Sequence, residues 1–319
     1  MAVNSSEIKE ILGTFPEIGK WPDLVGVFDR AGDVKRPDWE LPILACQAVG
    51  GDRSQALPGA VAVACLQLSI IIVDDILDDD CGGVHFLYGN GPAANMALAY
   101  QSLAALSLCR AEISDFDKAR ASEALNRAAL KTATGQQLDV QNLRGEESYW
   151  LVIHAKSTPF YGFAFELGAI LGSASASITQ DMYSLGVVIG EIIQVEDDLI
   201  DALEVPANAD WKQGRNNLLL LYAQTAEHEK REQFLRLLTK IDDPGALAEA
   251  QRILVSCGAV SYASYQLINR YRKAIKLLRG MSLIDPSGLH HVLDEYADSL
   301  RTRLKLSDIE LFNESLKDI

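Results

Sequence analysis

An all-α fold is what this sequence predicts, on three observations. Apolar residues recur at three- and four-residue spacing through most of the chain, as in Leu98, Leu103 and Leu106 with Leu108, and in Leu267, Ile268, Tyr271, Ile275 and Leu278. Runs of two-residue alternation rich in β-branched residues are scarce. No strand-like run opens into a glycine-rich loop, which argues against a dinucleotide fold or a P-loop.

Turn-forming clusters divide the helical pattern at Gly50-Gly51-Asp52, Cys81-Gly82-Gly83, Gly89 to Pro92 and Gly145-Glu146-Glu147. Further breaks are expected at Gly172 to Ser177, Val205 to Asp210, Asp242 to Gly245 and Asp285 to Gly288. Each is short, and no linker or composition shift separates them. The economical reading is one domain over residues 1–319, a large bundle of roughly ten helices.

The 319 residues are 48% hydrophobic, enough to bury a substantial core, and carry a net charge of −15. That charge makes nucleic acid a poor partner, since such binding is driven by cations displacing counterions. A phosphate ligand stays possible, because a metal reverses the local charge. The five cysteines, Cys46, Cys65, Cys81, Cys109 and Cys257, are odd in number and widely spaced, and read as reduced packing residues. His290 and His291 are adjacent and so diverge on a helix, leaving no zinc constellation in view. No apolar run long enough to span a bilayer free of polar interruption is expected, and Glu7, Lys9 and Glu10 occupy the place of an apolar leader. The expected location is cytoplasmic, with no membrane span.

Chemistry concentrates in two acidic runs. From Ala60 to Val73 the chain is almost continuously apolar and passes without a breaker into Asp74-Asp75-Ile76-Leu77-Asp78-Asp79-Asp80. Asp74 and Asp78 are four apart, so they share a helix face one turn apart and repel without a cation between them. Leu185 to Asp201 repeats the pattern, with Asp197 and Asp201 as the pair within Glu196-Asp197-Asp198-Leu199-Ile200-Asp201. Either run alone reads as a solvated helix end in an acidic protein. A solvated end has no need of D-D-x-x-D twice, each time after a long apolar helix. All-oxygen sites of this kind suit Mg²⁺, which takes one or two carboxylates and completes its octahedron with water and substrate phosphates. Two such helices face to face would clamp a diphosphate.

With these motifs in order, the chain resembles the trans-isoprenyl diphosphate synthases, the polyprenyl synthetase family. The resemblance runs through Lys35-Arg36, Ala45 to Asp52, the first D-D-x-x-D, Gly135-Gln136-Gln137-Leu138-Asp139, Lys156-Ser157, and Gln194 ahead of the second D-D-x-x-D. It implies the isoprenoid synthase fold, a helical bundle around a deep apolar cavity, as a homodimer using three Mg²⁺ ions to hold an allylic prenyl diphosphate. Asp74, Asp78 and Asp197 are the implied principal metal ligands, with Asp75, Asp198 and Asp201 in support. Lys156 and Arg215 match diphosphate-binding positions, the second usually a lysine. Asp139, Ser157 and Gln194 would line the region beside the developing allylic cation, Ser157 in place of a threonine.

The acceptor side departs from the family. Lys35, Arg36 and Gln67 match positions that hold isopentenyl diphosphate, but Asp38 and Trp39 stand where G-G-K-R-x-R-P has its last arginine and its proline. After the first aspartate motif the family carries two arginines, and Asp79 to His85 has none. Each lost contact to a desolvated diphosphate costs on the order of 2–5 kcal/mol. Three readings share the ionisation step: transfer to isopentenyl diphosphate bound atypically or to another nucleophile, cyclisation by a class I terpene cyclase, and a non-catalytic subunit of a heteromeric synthase. Transfer is favoured, because Lys35, Arg36 and Gln67 would serve little purpose in a cyclase. One turn before the first motif stand Ser69 and Ile70, neither aromatic, so the expected cavity does not close early there.

Overall fold

Helix follows helix wherever apolar spacing persists, and the chain turns where caps, glycine or proline interrupt it. The structure, a computed structural model, describes residues 5–33 and 36–306, with side chains through residue 298. The first elements are α1 (Ser5–Leu12), α2 (Pro22–Gly32), α3 (Leu41–Ala48) and α4 (Arg53–Asp78). A capping box starts α4: Gln55 N donates to Asp52 Oδ1 at 3.0 Å, and Asp52 N donates to Gln55 Oε1 at 2.9 Å. The helix ends at Asp79, whose φ of 53° is left-handed.

Then come α5 (Val84–Tyr88), α6 (Asn90–Cys109), α7 (Asp115–Asp139), α8 (Glu146–Lys156), α9 (Thr158–Leu171) and α10 (Ala176–Leu203). Ser114 caps α7 and Ser175 caps α10 through their side-chain oxygens. The remainder is α11 (Ala209–Gln213), α12 (Leu218–Thr225), α13 (Arg231–Leu238), α14 (Pro244–Ser256), α15 (Ala259–Gly280) and α16 (Ser287–Leu306). Among the described residues there is no strand. All eight expected breaks fall at helix boundaries, but the described residues form sixteen α-helices in place of roughly ten. Two of the extra boundaries lie inside continuous apolar patterns. Pro159 restarts the chain as α9 directly after α8, and Gly258, at φ 93°, separates α14 from α15.

The core is built around α4, packed on α3 and α6, and around α9, packed on α3, α7 and α10, with α15 covering the other side of α10. Twelve of the fourteen residues of α9 are buried. Two glycines set the spacing: a Cβ at Gly135 would lie 2.2 Å from Lys156 N, and one at Gly186 would lie 2.4 Å from Tyr161 O. Neither contact admits a side chain, so α7 meets the end of α8, and α10 meets α9, backbone to backbone.

On α6, Leu103 and Leu108 are buried, whereas Leu98 and Leu106 are exposed. Two expectations are corrected. Cys46 and Cys65 are buried packing residues, but Cys81 and Cys109 are exposed. Finally, α4 is by length and composition apolar enough to cross a membrane. Its composition has another cause, since it runs through the bundle and Ala60 to Leu66 are all buried.

Candidate active site

Long helices ending in acid deliver the charged groups to one end of the bundle. A polar cavity of about 140 Å³ opens there, lined by Asp139, Lys156, Ser157, Gln194, Asp198, Asp201, Asp210 and Arg215 among others. The close approach at Gly135 places Asp139, one turn later on α7, beside Lys156. Lys156 Nζ lies 2.6 Å from Asp139 Oδ2 and 2.8 Å from Asp74 Oδ1, bridging α7 to α4. Arg215 Nη1 lies 2.9 Å from Asp78 Oδ2. Two cations thus face the i, i+4 pair of the first aspartate motif.

On α10 a hydrogen-bonded chain runs inward. Ser157 Oγ donates to Gln194 Oε1 at 2.8 Å, and Gln194 Nε2 donates to Asp198 Oδ1 at 3.2 Å. Asp198 Oδ2 also accepts from the Tyr149 hydroxyl at 2.6 Å and from Leu218 N at 2.7 Å. Asn217 caps α12 and donates to Asp198 O at 2.8 Å and to Asp210 Oδ2 at 3.0 Å. Asp198, expected in support of the metal, accepts from protein donors on both oxygens and ties α10 to α8 and α12. Sequence reasoning missed Tyr149, Asp210 and Asn217, which carry no motif spacing.

The other expected residues divide. Asp201 lines the cavity, and Asp197 is exposed on α10. Asp75, a residue on from Asp74, turns toward the loop after α4, where a Cβ at Gly83 would lie 2.7 Å from its own Cβ. Arg36 and Gln67 belong to a separate group with Asp38 and Trp39. Lys35 lies outside the described residues.

Burial and crowding leave this end short of positive charge. Burial, then Asp80 and Asp74, push the Asp75 carboxyl up to about 6. Burial, then Asp210 and Glu204, push Asp201 up to about 6, and burial pushes Asp198 up to about 7. Asp78 and Asp210 are raised for the same first reason. Burial works against the Lys156 ammonium, yet Asp74 and Asp139 outweigh it and hold its pKa above the usual lysine value. A hard divalent cation answers this excess. Among the described residues no three Asp, Glu, His or Cys side chains form a ready metal cage. The donors present are carboxylate oxygens, the hard ligands that Mg²⁺ takes one or two at a time.

A pH dependence follows. A carboxyl raised on folding binds more protons in the folded chain, so its contribution to stability falls as pH rises from the unfolded value near 3.8 through the folded 6 to 7. Thermal melting of the metal-free protein should show a midpoint lower at pH 8 than at pH 5. Mg²⁺ with pyrophosphate should flatten that difference, and a flat metal-free profile would contradict the charge assignment.

The polyprenyl synthetase family model matches residues 35–255, more than half of the chain. The chain belongs to the polyprenyl synthetase family. It is a prenyltransferase of that family. It is 28% identical over 282 residues to the short chain isoprenyl diphosphate synthase of Methanothermobacter thermautotrophicus, covering 82% of this chain and 84% of that protein. It is 26% identical over 283 residues to the geranylgeranyl pyrophosphate synthase of Geoglobus acetivorans, covering 82% and 85%. The crystal structure of geranylgeranyl pyrophosphate synthetase from Pyrococcus horikoshii superposes with a TM-score of 0.79 at 24% identity, over 91% of this chain and 94% of that one. The polyprenyl synthetase bundle described above is the all-α isoprenoid synthase fold.

Proposed function

We propose that this polyprenyl synthetase acts as a single domain that uses Mg²⁺ to ionise an allylic prenyl diphosphate and transfers the prenyl group to an acceptor, releasing pyrophosphate. The observation that carries the reading is the pairing of Lys156 with Asp74 and Asp139, and of Arg215 with Asp78, at the mouth of an acidic cavity. These two cations and the aspartates opposite them are complementary to a magnesium diphosphate, which brings both signs of charge at once. Asp74, Asp78, Asp197 and Asp201 would hold the metal, probed as up to three ions, and bound Mg²⁺ supplies Lewis-acid stabilisation of the departing pyrophosphate. Lys156 and Arg215 hold diphosphate oxygens. The C1–O bond of the donor breaks with its electron pair leaving on pyrophosphate, an electron pair of the acceptor forms the bond to C1, and the proton the acceptor then loses goes to the released pyrophosphate. Asp139, Ser157 and Gln194 lie beside that centre, their hydrogen-bonded oxygens facing positive charge.

Relatives named geranylgeranyl synthases support a donor or product of that length, and Ser69 and Ile70 leave the α4 wall without an aromatic ring to close the cavity early. A cytoplasmic location fits such an enzyme. A homodimer is supported by exposed Leu98 and Leu106 on α6 and Phe116 and Leu130 on α7, an apolar face on two helices that pack together. One relative is named the large subunit of a heterodimeric geranylgeranyl pyrophosphate synthase, and light scattering of the purified chain distinguishes self-pairing from a need for a second subunit.

Calorimetry tests the donor half. Farnesyl diphosphate should bind about tenfold or more tightly with Mg²⁺ than after chelation, the coupling expected when each fills positions the other leaves open. Affinity indifferent to chelation would sink the reading.

A further inference from the structure

Beside the acidic cavity lies a second one of opposite sign. It is an open cavity of about 470 Å³ between the loop ahead of α8, the loop ahead of α12, and the helices α12 and α13. Arg144, Arg215 and Arg231 line it, and no Asp or Glu does. Arg215 and Asn216 line the acidic cavity as well, so the two spaces adjoin at these residues. In a chain of net charge −15, three arginines around an acid-free space concentrate positive potential where an anion can enter.

Solvated surface arginines have no fixed place, but these three are held. Arg144 Nη1 donates to Gly214 O at 2.6 Å, and Arg231 Nε donates to Gln224 O at 2.7 Å. Arg215 Nε donates to Gln213 Oε1 at 3.0 Å, while its Nη1 faces Asp78. Asn216 Nδ2 donates to Leu143 O, so residues 143–145 and 214–216 brace each other in both directions. Gly145, at φ 101°, turns the chain from Arg144 into α8, and a Cβ there would meet nothing within 4 Å. Leu221, 7% exposed, and Leu235 supply the apolar part of the wall, against which charge interactions are less screened than in water. A guanidinium carries five N–H donors, and these contacts use one on Arg144, one on Arg231 and two on Arg215. The rest remain for an anion, in the fork geometry that matches phosphate oxygens.

We propose that this cavity is a second diphosphate-binding site, one that works through arginine and needs no metal. Two sources carry that chemistry: the pyrophosphate released next door and the diphosphate of an acceptor. Which of them fills the cavity rests on the prenyl-transfer reading above, whereas the site itself does not. The test is a calorimetric titration of the full-length protein in excess chelator, where the aspartates of the acidic cavity repel anions, with pyrophosphate and separately with isopentenyl diphosphate. Wild type should bind one equivalent of pyrophosphate. Arg144→Gln and Arg231→Gln alter exposed residues outside the acidic cavity, so both variants should fold, and each should weaken binding about tenfold, the effect of losing one hydrogen bond to a charged group. No metal-free binding by wild type, or affinity unchanged in both variants, would overturn the site. Binding of isopentenyl diphosphate in chelator, with acceptor KM raised about tenfold in Arg231→Gln, assigns the site to an acceptor, and binding of pyrophosphate alone assigns it to the product. Pyrophosphate release from farnesyl diphosphate, followed in parallel on wild type, tests the transfer reading by itself. Its absence with any acceptor defeats that reading and leaves a passed titration standing.

Discussion

Asp74→Ala is expected to lower kcat by about 10²–10³, the usual scale for removing one group that stabilises charge in the transition state. Asp197→Ala should do the same. The fold should survive the Asp74 change, because that side chain is 32% exposed and its partner Lys156 keeps Asp139 at 2.6 Å. Removing one carboxylate of an i, i+4 pair also relieves repulsion with Asp78. Pyrophosphate release measured at saturating Mg²⁺, alongside thermal melting, separates a chemical defect from unfolding. Turnover near the wild-type rate in either variant would mean that the metal is held elsewhere.

Asp198→Ala should instead damage the fold, by about 3–5 kcal/mol in chemical denaturation. Asp198 is 3% exposed, and its loss strands the Tyr149 hydroxyl and the Leu218 amide, both buried donors. The α10 to α12 junction then loses a tie three residues from Arg215, which lines the cavity. The contrast with Asp74 is informative. Carboxylates of the same kind of motif would then divide into one that works outward on ligand and one that works inward on structure. If Asp198→Ala kept wild-type stability while losing only Mg²⁺ affinity, the anchor role would be refuted.

Local chemistry made part of this legible in advance. A D-D-x-x-D run puts two carboxylates on one helix face whatever surrounds it, so the acidic pairs at Asp74/Asp78 and Asp197/Asp201 were visible from spacing alone. The cation partners were not. Lys156 and Arg215 stand far from the first motif in sequence, and only the resemblance pointed to them, while Tyr149, Asp210 and Asn217 had neither spacing nor likeness to mark them. Helix number was underestimated for a related reason: apolar periodicity continues through Pro159 and Gly258, where backbone chemistry rather than hydrophobicity ends the helix.

Periodicity and composition, which depend on each residue and its near neighbours, determined that the protein is all-helical, acidic and armed with two sets of paired carboxylates. Tertiary structure alone decided which carboxylates open to the cavity. One residue of rotation around α10 is about 100°, enough to send Asp198 into a buried network and leave Asp197 exposed. It alone decided, too, that Asp38 and Trp39 are more than lost family residues. Brought against Gln67 from 28 and 29 positions away, they complete a hydrogen-bonded chain that burial strengthens and that linear sequence has no means to display.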